Sequence, residues 1–189
     1  VSLNFKQKNY FIMKTKNLFM MVMLFFGVTL FAQNADDKKV ISDAQKAKAA
    51  FLEANPKLQG YFDDAKAYAI FPNVGKGALI VGAASGNGAV YERGVLVGMA
   101  NLKQLDVGAQ IGGKAYSEVI FFKTDKAVQE FMDDDFSFGS NVSAIAANQA
   151  PPSLNITYTD GVAVFTLPKE GLMAEVSVGG QKFDFEDFD

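Results

Sequence analysis

The order of apolar and polar residues divides the chain into three stretches. Leu18 to Leu30 is an uncharged, mostly apolar run of 13 residues. Residues 34–54 repeat apolar side chains at helical spacing, and from Tyr68 onwards short runs rich in Val, Ile, Phe and Gly alternate with turn residues. The pattern predicts a leader, a helical segment and a body built from β-strands.

Three helices are expected. The first covers residues 34–54, with Asn34 or Asp36 as its cap and one apolar face: Val40, Ala44, Ala47, Phe51 and Ala54. Asn55-Pro56 begins a second helix that reaches about Lys66. Thr124 caps a third, inserted helix from Asp125 to Met132.

Short strands account for most of the rest. We expect them at 68–71, 78–84, 89–92, 95–101, 106–112, 115–123, 138–147, 161–167, 171–178 and 181–185. Ser85–Gly88 and Glu92–Gly94 read as tight hairpin turns, and in-strand glycines such as Gly98 indicate crowding at bends. Helices do not alternate with these strands, which argues against a doubly wound parallel sheet. The predicted fold class is α+β: a small antiparallel β-barrel or strongly curled sheet with two N-terminal helices and one inserted helix.

The first 32 residues have the composition of a secretory signal peptide. Lys14 and Lys16 precede the apolar run, and Ala32 offers a small residue at a cleavage point. A helix that spans a bilayer needs about 20 apolar residues, so an uncleaved anchor is the weaker alternative. We expect Met13 to be the true start, residues 1–32 to be removed near Ala32, residues 33–189 to form one domain, and the protein to be periplasmic or secreted.

Composition excludes several chemistries. The chain has no His and no Cys, which rules out a Ser-His-Asp triad, a thiolate nucleophile and an ordinary zinc site. Removal of residues 1–32 takes away four lysines and no acid, leaving 14 basic against 21 acidic residues. That balance disfavours nucleic-acid binding, which needs a basic surface. No cofactor is expected.

Three features of the sequence bear on a possible phosphate-binding, calcium-binding or catalytic site. Gly75-Lys76-Gly77 precedes a strand rather than a helix, so it does not indicate a phosphate-binding loop. Asp133–Asp135 lacks the spacing of a calcium loop and is expected to be solvated. A carboxylate pair for hydrolysis stays open, although nothing in the sequence marks two acids as partners.

Five segments between Tyr68 and Phe185 form a characteristic series in order and spacing: Ala69–Gly77 (AIFPNVGKG), Gly86–Tyr91 (GNGAVY), Leu105–Gly112 (LDVGAQIG), Glu118–Phe121 (EVIF) and, at the end, Ala163–Phe165 with Lys169–Gly180 (AVF and KEGLMAEVSVGG). Through these segments the stretch resembles the SYLF domain, a family of lipid-binding modules. The closing segment has Phe165-Thr-Leu-Pro-Lys169 where the family carries an arginine, so basic groups that could bind a phosphorylated headgroup are fewer.

The resemblance implies a non-catalytic module that contacts a phospholipid or membrane surface, partly through an amphipathic N-terminal segment. Transferred to this sequence, the lipid-binding residues are Lys38, Lys39, Lys46, Lys48, Phe51, Lys57 and Lys66. From the residues alone, the apolar face of the first helix is expected to pack on the domain and its lysines to be solvated; with the resemblance, membrane contact by this helix becomes an equal alternative. An envelope protein–protein interaction or scaffold domain, and a carboxylate-dependent hydrolase, remain the other functions.

Overall fold

The computed structural model describes residues 35–75, 83–105, 115–133, 136–139, 141–149, 158–169 and 178–188. The chain divides into two units, Val1–Lys39 and Val40–Asp189. In the first unit the described residues, 35–39, are helical. Everything below concerns the second unit unless stated. The predicted signal peptide lies outside the described residues.

The described residues of the second unit contain three α-helices. Residues 40–54 form α1, Leu58–Asp64 form α2 and Asp125–Met132 form α3. The prediction for α3 is confirmed, including its cap, because the Thr124 hydroxyl accepts a hydrogen bond from the backbone N–H of Ala127 at 3.2 Å. A single 3₁₀ turn covers Ala147–Gln149.

Helix α2 begins two residues later than predicted. The Asn55 side chain accepts a hydrogen bond from the backbone N–H of Lys57 at 3.1 Å, which forms a turn before the helix rather than its cap. Its amide also donates to the carbonyl of Ala147 at 3.3 Å. Asn55 is therefore a buried link to the 3₁₀ turn, and the helix itself starts at Leu58.

Eight strands form one sheet in the described part of the chain. Their bounds are β1 Ala67–Val74, β2 Ala83–Glu92, β3 Val95–Leu105, β4 Tyr116–Phe122, β5 Phe136–Ser137, β6 Ala144–Ala146, β7 Val162–Pro168 and β8 Gln181–Asp187. The spatial order is β5-β8-β3-β2-β1-β4-β7-β6. The strand predicted at 106–112 lies outside the described residues. Of the strand predicted at 171–178, only Val178 is described.

The sheet curls strongly. Strands β8 and β4 are separated by β3, β2 and β1, so in a flat sheet they would lie about 19 Å apart, four steps of about 4.8 Å. Yet the Gln181 amide of β8 donates to the Glu118 carboxyl of β4 at 3.0 Å, and the rings of Phe71 and Phe183 are 5.6 Å apart. The result is a curled half-barrel, and the predicted α+β fold with a strongly curled sheet is confirmed.

The two faces of the sheet carry different helices. One face packs on α3 through the apolar cluster that contains Ile120, Phe122 and Phe131. The other face packs on α1 and α2 through the cluster that contains Phe51 and Phe121. Side chains alternate along β4 as period-two strand geometry requires, so consecutive residues of one strand serve the two cores.

Three strand predictions were wrong. Ser85–Gly88 is not a hairpin turn but part of β2; its glycines allow close approach to β1, because a Cβ on Gly88 would lie 2.6 Å from the Phe71 ring. Of the strand predicted at 138–147, the described residues form only β6, followed by a 3₁₀ turn that begins at Ala147; β5 precedes the predicted range. The sheet is also mixed, since β6 pairs with β7 in parallel, whereas every strand was expected to be antiparallel.

Candidate functional site

The apolar face of α1 is used for packing. Ala44, Ala47 and Phe51 have exposed fractions of 0%, 7% and 0%, and they belong to the same apolar cluster as Phe62 of α2 and Phe121 of β4. The alanines let the helix lie close to the sheet, and Phe51 supplies the large buried side chain. Packing of the apolar face on the domain is therefore confirmed for these three residues, whereas Ala54, predicted on the same face, is exposed and Val40 is half-buried. Phe51, although predicted to contact lipid, presents no exposed surface.

The predicted lysines occupy several environments. Lys38 and Lys39, in the first unit, are exposed. In the second unit Lys46 and Lys57 are exposed, and Lys66 is half-buried. Lys46 forms an ion pair with Asp43 at 3.0 Å, and Lys66 forms one with Asp125 at 3.2 Å. Such exposed pairs contribute little to stability and exchange readily with other partners.

Lys48 is a structural contact between α1 and the sheet. Its ammonium donates to the Tyr68 hydroxyl at 3.2 Å and lies 4.3 Å from the centre of the Phe62 ring, within cation–π distance. Burial lowers the pKa of Lys48, and the nearby Asp63 carboxylate opposes that shift. The aromatic rings of α2 and β1 therefore hold this lysine at the helix–sheet contact.

The predicted lysines do not form a single patch. Lys46 lies near Pro72 and Asn73 at the end of β1, whereas Lys66 directly precedes the start of the same strand at Ala67. Six residues of extended chain separate Ala67 from Asn73, which corresponds to about 20 Å. A lipid headgroup at one end of β1 would thus not reach the lysine at the other.

A cleft of about 400 Å³ lies between α1 and the ends of β1, β4 and β7. We call it the α1 cleft. Its apolar lining comes from Ala47, Ala50, Pro72, Leu167 and Pro168. This volume falls within the range of about 300–1,000 Å³ typical of small-ligand sites. The α1 cleft is therefore large enough for a small ligand or one hydrocarbon chain.

Polar side chains border the α1 cleft: Asp43, Lys46, Asn73, Ser117 and Lys169. Lys169 was not among the predicted site residues. Its backbone N–H donates to the carbonyl of Ala115 at 3.1 Å, and its ammonium donates to the Asn73 side-chain oxygen. Only the long-range pairing of β7 with β4 brings it beside α1, so no local sequence signal could have identified it as a neighbour of Lys46.

Inside the half-barrel, a buried polar cluster consists of Gln104, Tyr116, Glu118 and Gln181. All four are less than 5% exposed. The Gln181 amide donates to Glu118, and it also lies 3.3 Å from the Gln104 side-chain oxygen and 3.4 Å from the Tyr116 hydroxyl. Among the described residues, one oxygen of Glu118 and the side-chain oxygen of Gln181 have no hydrogen-bond partner.

Burial raises the pKa of the Glu118 carboxyl to about 8, and its hydrogen bond from Gln181 opposes this shift. The carboxyl is therefore mostly neutral at pH 7. Around it, in the part of the chain that the structure describes, stand amides and a phenol rather than a second carboxylate. This arrangement lacks the pair of acids that glycoside hydrolysis uses.

The described residues contain neither a candidate metal site nor a candidate membrane-spanning helix. Within them, no group of three or more acidic side chains is arranged to hold a metal ion. Nor does any helix there combine the length and the apolar character needed to cross a bilayer. Asp133, the described member of the predicted acidic loop, is exposed directly after α3.

The chain is similar to a curated protein and to a known protein family. A protein from Aeromonas veronii, "Beta cell expansion factor A", is 27% identical over 143 residues, which cover 74% of this chain and 53% of that protein. The chain thus spans about half the length of this curated relative. The model of the Ysc84 family, described as "Las17-binding protein actin regulator", matches residues 103–187. The resemblance to the SYLF family is thereby confirmed, with residues 103–187 matching the Ysc84 (SYLF) model.

Proposed function

We propose that this protein is an exported, non-catalytic, lipid-binding module of the cell envelope. SYLF membership supports a lipid-binding or actin-regulator type of module in general. The observation that carries the lipid proposal is that the apolar face of α1 is buried while Lys46 on the same helix is exposed. Lys38 and Lys39 of the first unit are exposed as well. Contact with a membrane would then be electrostatic and superficial, made by lysines rather than by inserted apolar side chains.

The proposed location follows from the first 32 residues. Two lysines, an apolar run of 13 residues and Ala32 together favour export and cleavage. The protein would then act in the periplasm or outside the cell. In that location a cytoskeletal protein such as actin would not be its partner. Retention of the leader as an anchor would keep the same domain at a membrane surface.

Vesicle co-sedimentation tests the proposal. The protein should be retained by vesicles with anionic phospholipid, less by zwitterionic vesicles, and less again at high salt. Replacing Lys38, Lys39 and Lys46 by Glu should weaken retention on anionic vesicles at least about tenfold, because each lysine near an anionic surface contributes about 1 kcal/mol. Lys48 is left unchanged, since it is held at the helix–sheet contact.

A matched variant controls for net charge. Replacing Lys103, Lys123 and Lys182, which are exposed on or beside strands away from α1, by Glu changes the charge equally and should weaken retention much less. Retention by no vesicle composition would contradict the lipid function and favour the other candidate, an envelope protein–protein interaction domain.

A further inference from the structure

The α1 cleft combines an apolar and a charged surface. The apolar part of its lining, here called the floor, comes from α1, β1 and β7, and the lining also includes two lysines, Lys46 and Lys169, and one carboxylate, Asp43. The two kinds of surface are contiguous, so one ligand can contact both. A ligand that matches them needs an apolar part and an anionic part.

The two lysines are available to an anion for different reasons. Lys46 is 75% exposed at its side chain, and its partner Asp43 is one helical turn away, so the pair is weak and easily exchanged. Lys169 donates to a neutral amide, Asn73, rather than to a carboxylate. Its charge is therefore not neutralised by that contact, and a phosphate or carboxylate would be the stronger acceptor.

The floor is fixed by the sheet. Pro72 and Pro168 have no backbone N–H to donate, and they lie near the ends of β1 and β7. The carbonyl of Pro72 accepts from the Ser117 hydroxyl at 2.9 Å, which holds that edge in place. The floor is therefore formed before a ligand arrives, and binding costs little ordering of the protein.

We infer that the α1 cleft binds one molecule of an anionic single-chain amphiphile, with its acidic head between Lys46 and Lys169 and its hydrocarbon tail on the floor formed by Ala47, Ala50 and Leu167. This inference rests on the proposed lipid-binding function. It adds a second mode of binding, in which the protein holds one lipid molecule instead of contacting a membrane surface. A volume of about 400 Å³ suits one chain. Lys169 acts in this mode and has no part in the vesicle test above.

Calorimetric titration of the full chain with dodecyl phosphate below its micelle concentration tests the inference. We expect one site per protein and binding at least about tenfold tighter than that of inorganic phosphate, which lacks the tail, or dodecyl maltoside, which lacks the charge. Amide NMR shifts should concentrate in residues 43–50 and 167–169. Inorganic phosphate that bound as tightly as dodecyl phosphate would show a simple anion site and overturn the inference.

Two variants probe the head and the tail separately. Lys169→Glu should weaken dodecyl phosphate binding about tenfold or more, whereas Lys182→Glu, the same charge change on exposed β8, should not. Ala50→Leu should fill the floor and weaken binding to a similar extent, whereas Ala49→Leu, one residue away and exposed on the same helix, should not.

Equal binding by each variant and its control would overturn the assignment to the α1 cleft, even if vesicle retention were intact. Loss of vesicle retention with intact cleft binding would instead contradict the surface mode alone. Circular dichroism of all four variants separates loss of a site from loss of the fold.

Discussion

Glu118 is fully buried among apolar residues and amides on the inner face of the half-barrel. A buried carboxyl is usually retained in its neutral form, because transfer of the charged form out of water costs more than its hydrogen bonds return. Its pKa of about 8, against the ordinary value of 4.5 for a glutamate carboxyl, means that the folded protein holds a proton that the unfolded chain releases across the intervening pH range.

This difference predicts a pH-dependent stability. Because the folded-state pKa is raised, the contribution of Glu118 is fully present below about pH 4.5 and is lost as pH rises to about 8, at up to about 1.4 kcal/mol per pH unit. Glu118→Gln should remove this part of the slope. Urea unfolding between pH 4.5 and 8.5 should show that the free energy of unfolding of the variant increases relative to that of the unmodified protein as pH rises.

Glu92→Gln, the same chemical change at an exposed position on β2, is the control for loss of a carboxyl group. A Glu118→Gln curve parallel to that of the unmodified protein would contradict the raised pKa. The sequence could not have predicted that this carboxyl is buried. Glu118 was noted only as part of a segment that resembles the family, and its burial depends on β8 folding over β4.

At the scale of elements, two interpretations of the N-terminal helix differ in the role of its apolar face: packing on the domain, or contact with a membrane. The spacing of Ala44, Ala47 and Phe51 predicted one apolar face, and the structure buries that face. If α1 is a structural element, Phe51→Ala should lower the free energy of unfolding by about 3–5 kcal/mol, the range for a large aromatic side chain removed from a core.

Chemical unfolding followed by circular dichroism measures this change. Glu53→Ala, on the exposed side of the same helix, should alter stability by less than about 0.5 kcal/mol. The opposite pattern, unchanged stability with weaker vesicle retention in Phe51→Ala, would mean that Phe51 contacts lipid and that the helix leaves the sheet.

Local signals predicted some elements well and others poorly. Helix α3 was correct because its signals are local: a capping threonine and an amphipathic run of eight residues. The turn at Arg93-Gly94 was also correct, and both residues have positive φ, 48° and 82°. Gly86 and Gly88 were wrongly predicted to lie in a turn, because glycine occurs both in turns and at close contacts between strands. Only the tertiary structure shows which of the two applies.

At the scale of the whole molecule, closure of the curl depends on β8 lying close to β3. Gly98 makes this possible, since a Cβ there would lie 2.4 Å from the carbonyl oxygen of Glu186 and 2.6 Å from the Phe185 ring. Gly98→Ala should therefore destabilise the fold by about 1–3 kcal/mol, as overpacking of a core does.

Hydrogen exchange measured by mass spectrometry should show the loss of protection first in β8. Gly60→Ala is the matched control, because a Cβ at this α2 position meets nothing within 4 Å, and alanine should raise stability by about 0.5–1 kcal/mol there. Equal effects of the two substitutions would contradict the tight β3–β8 contact.

The sheet ends on very short strands, of two residues in β5 and three in β6. The unpaired N–H and C=O groups on an outer strand are a template for the strands of other molecules, and natural proteins often limit this hazard by shortening that strand. Over the described residues, β5 and β6 themselves therefore offer little backbone for sheet-to-sheet growth. Because β5 pairs with β8 only at Lys182 and Phe183, assembly into amyloid-like fibres would have to start at the remaining residues of β8.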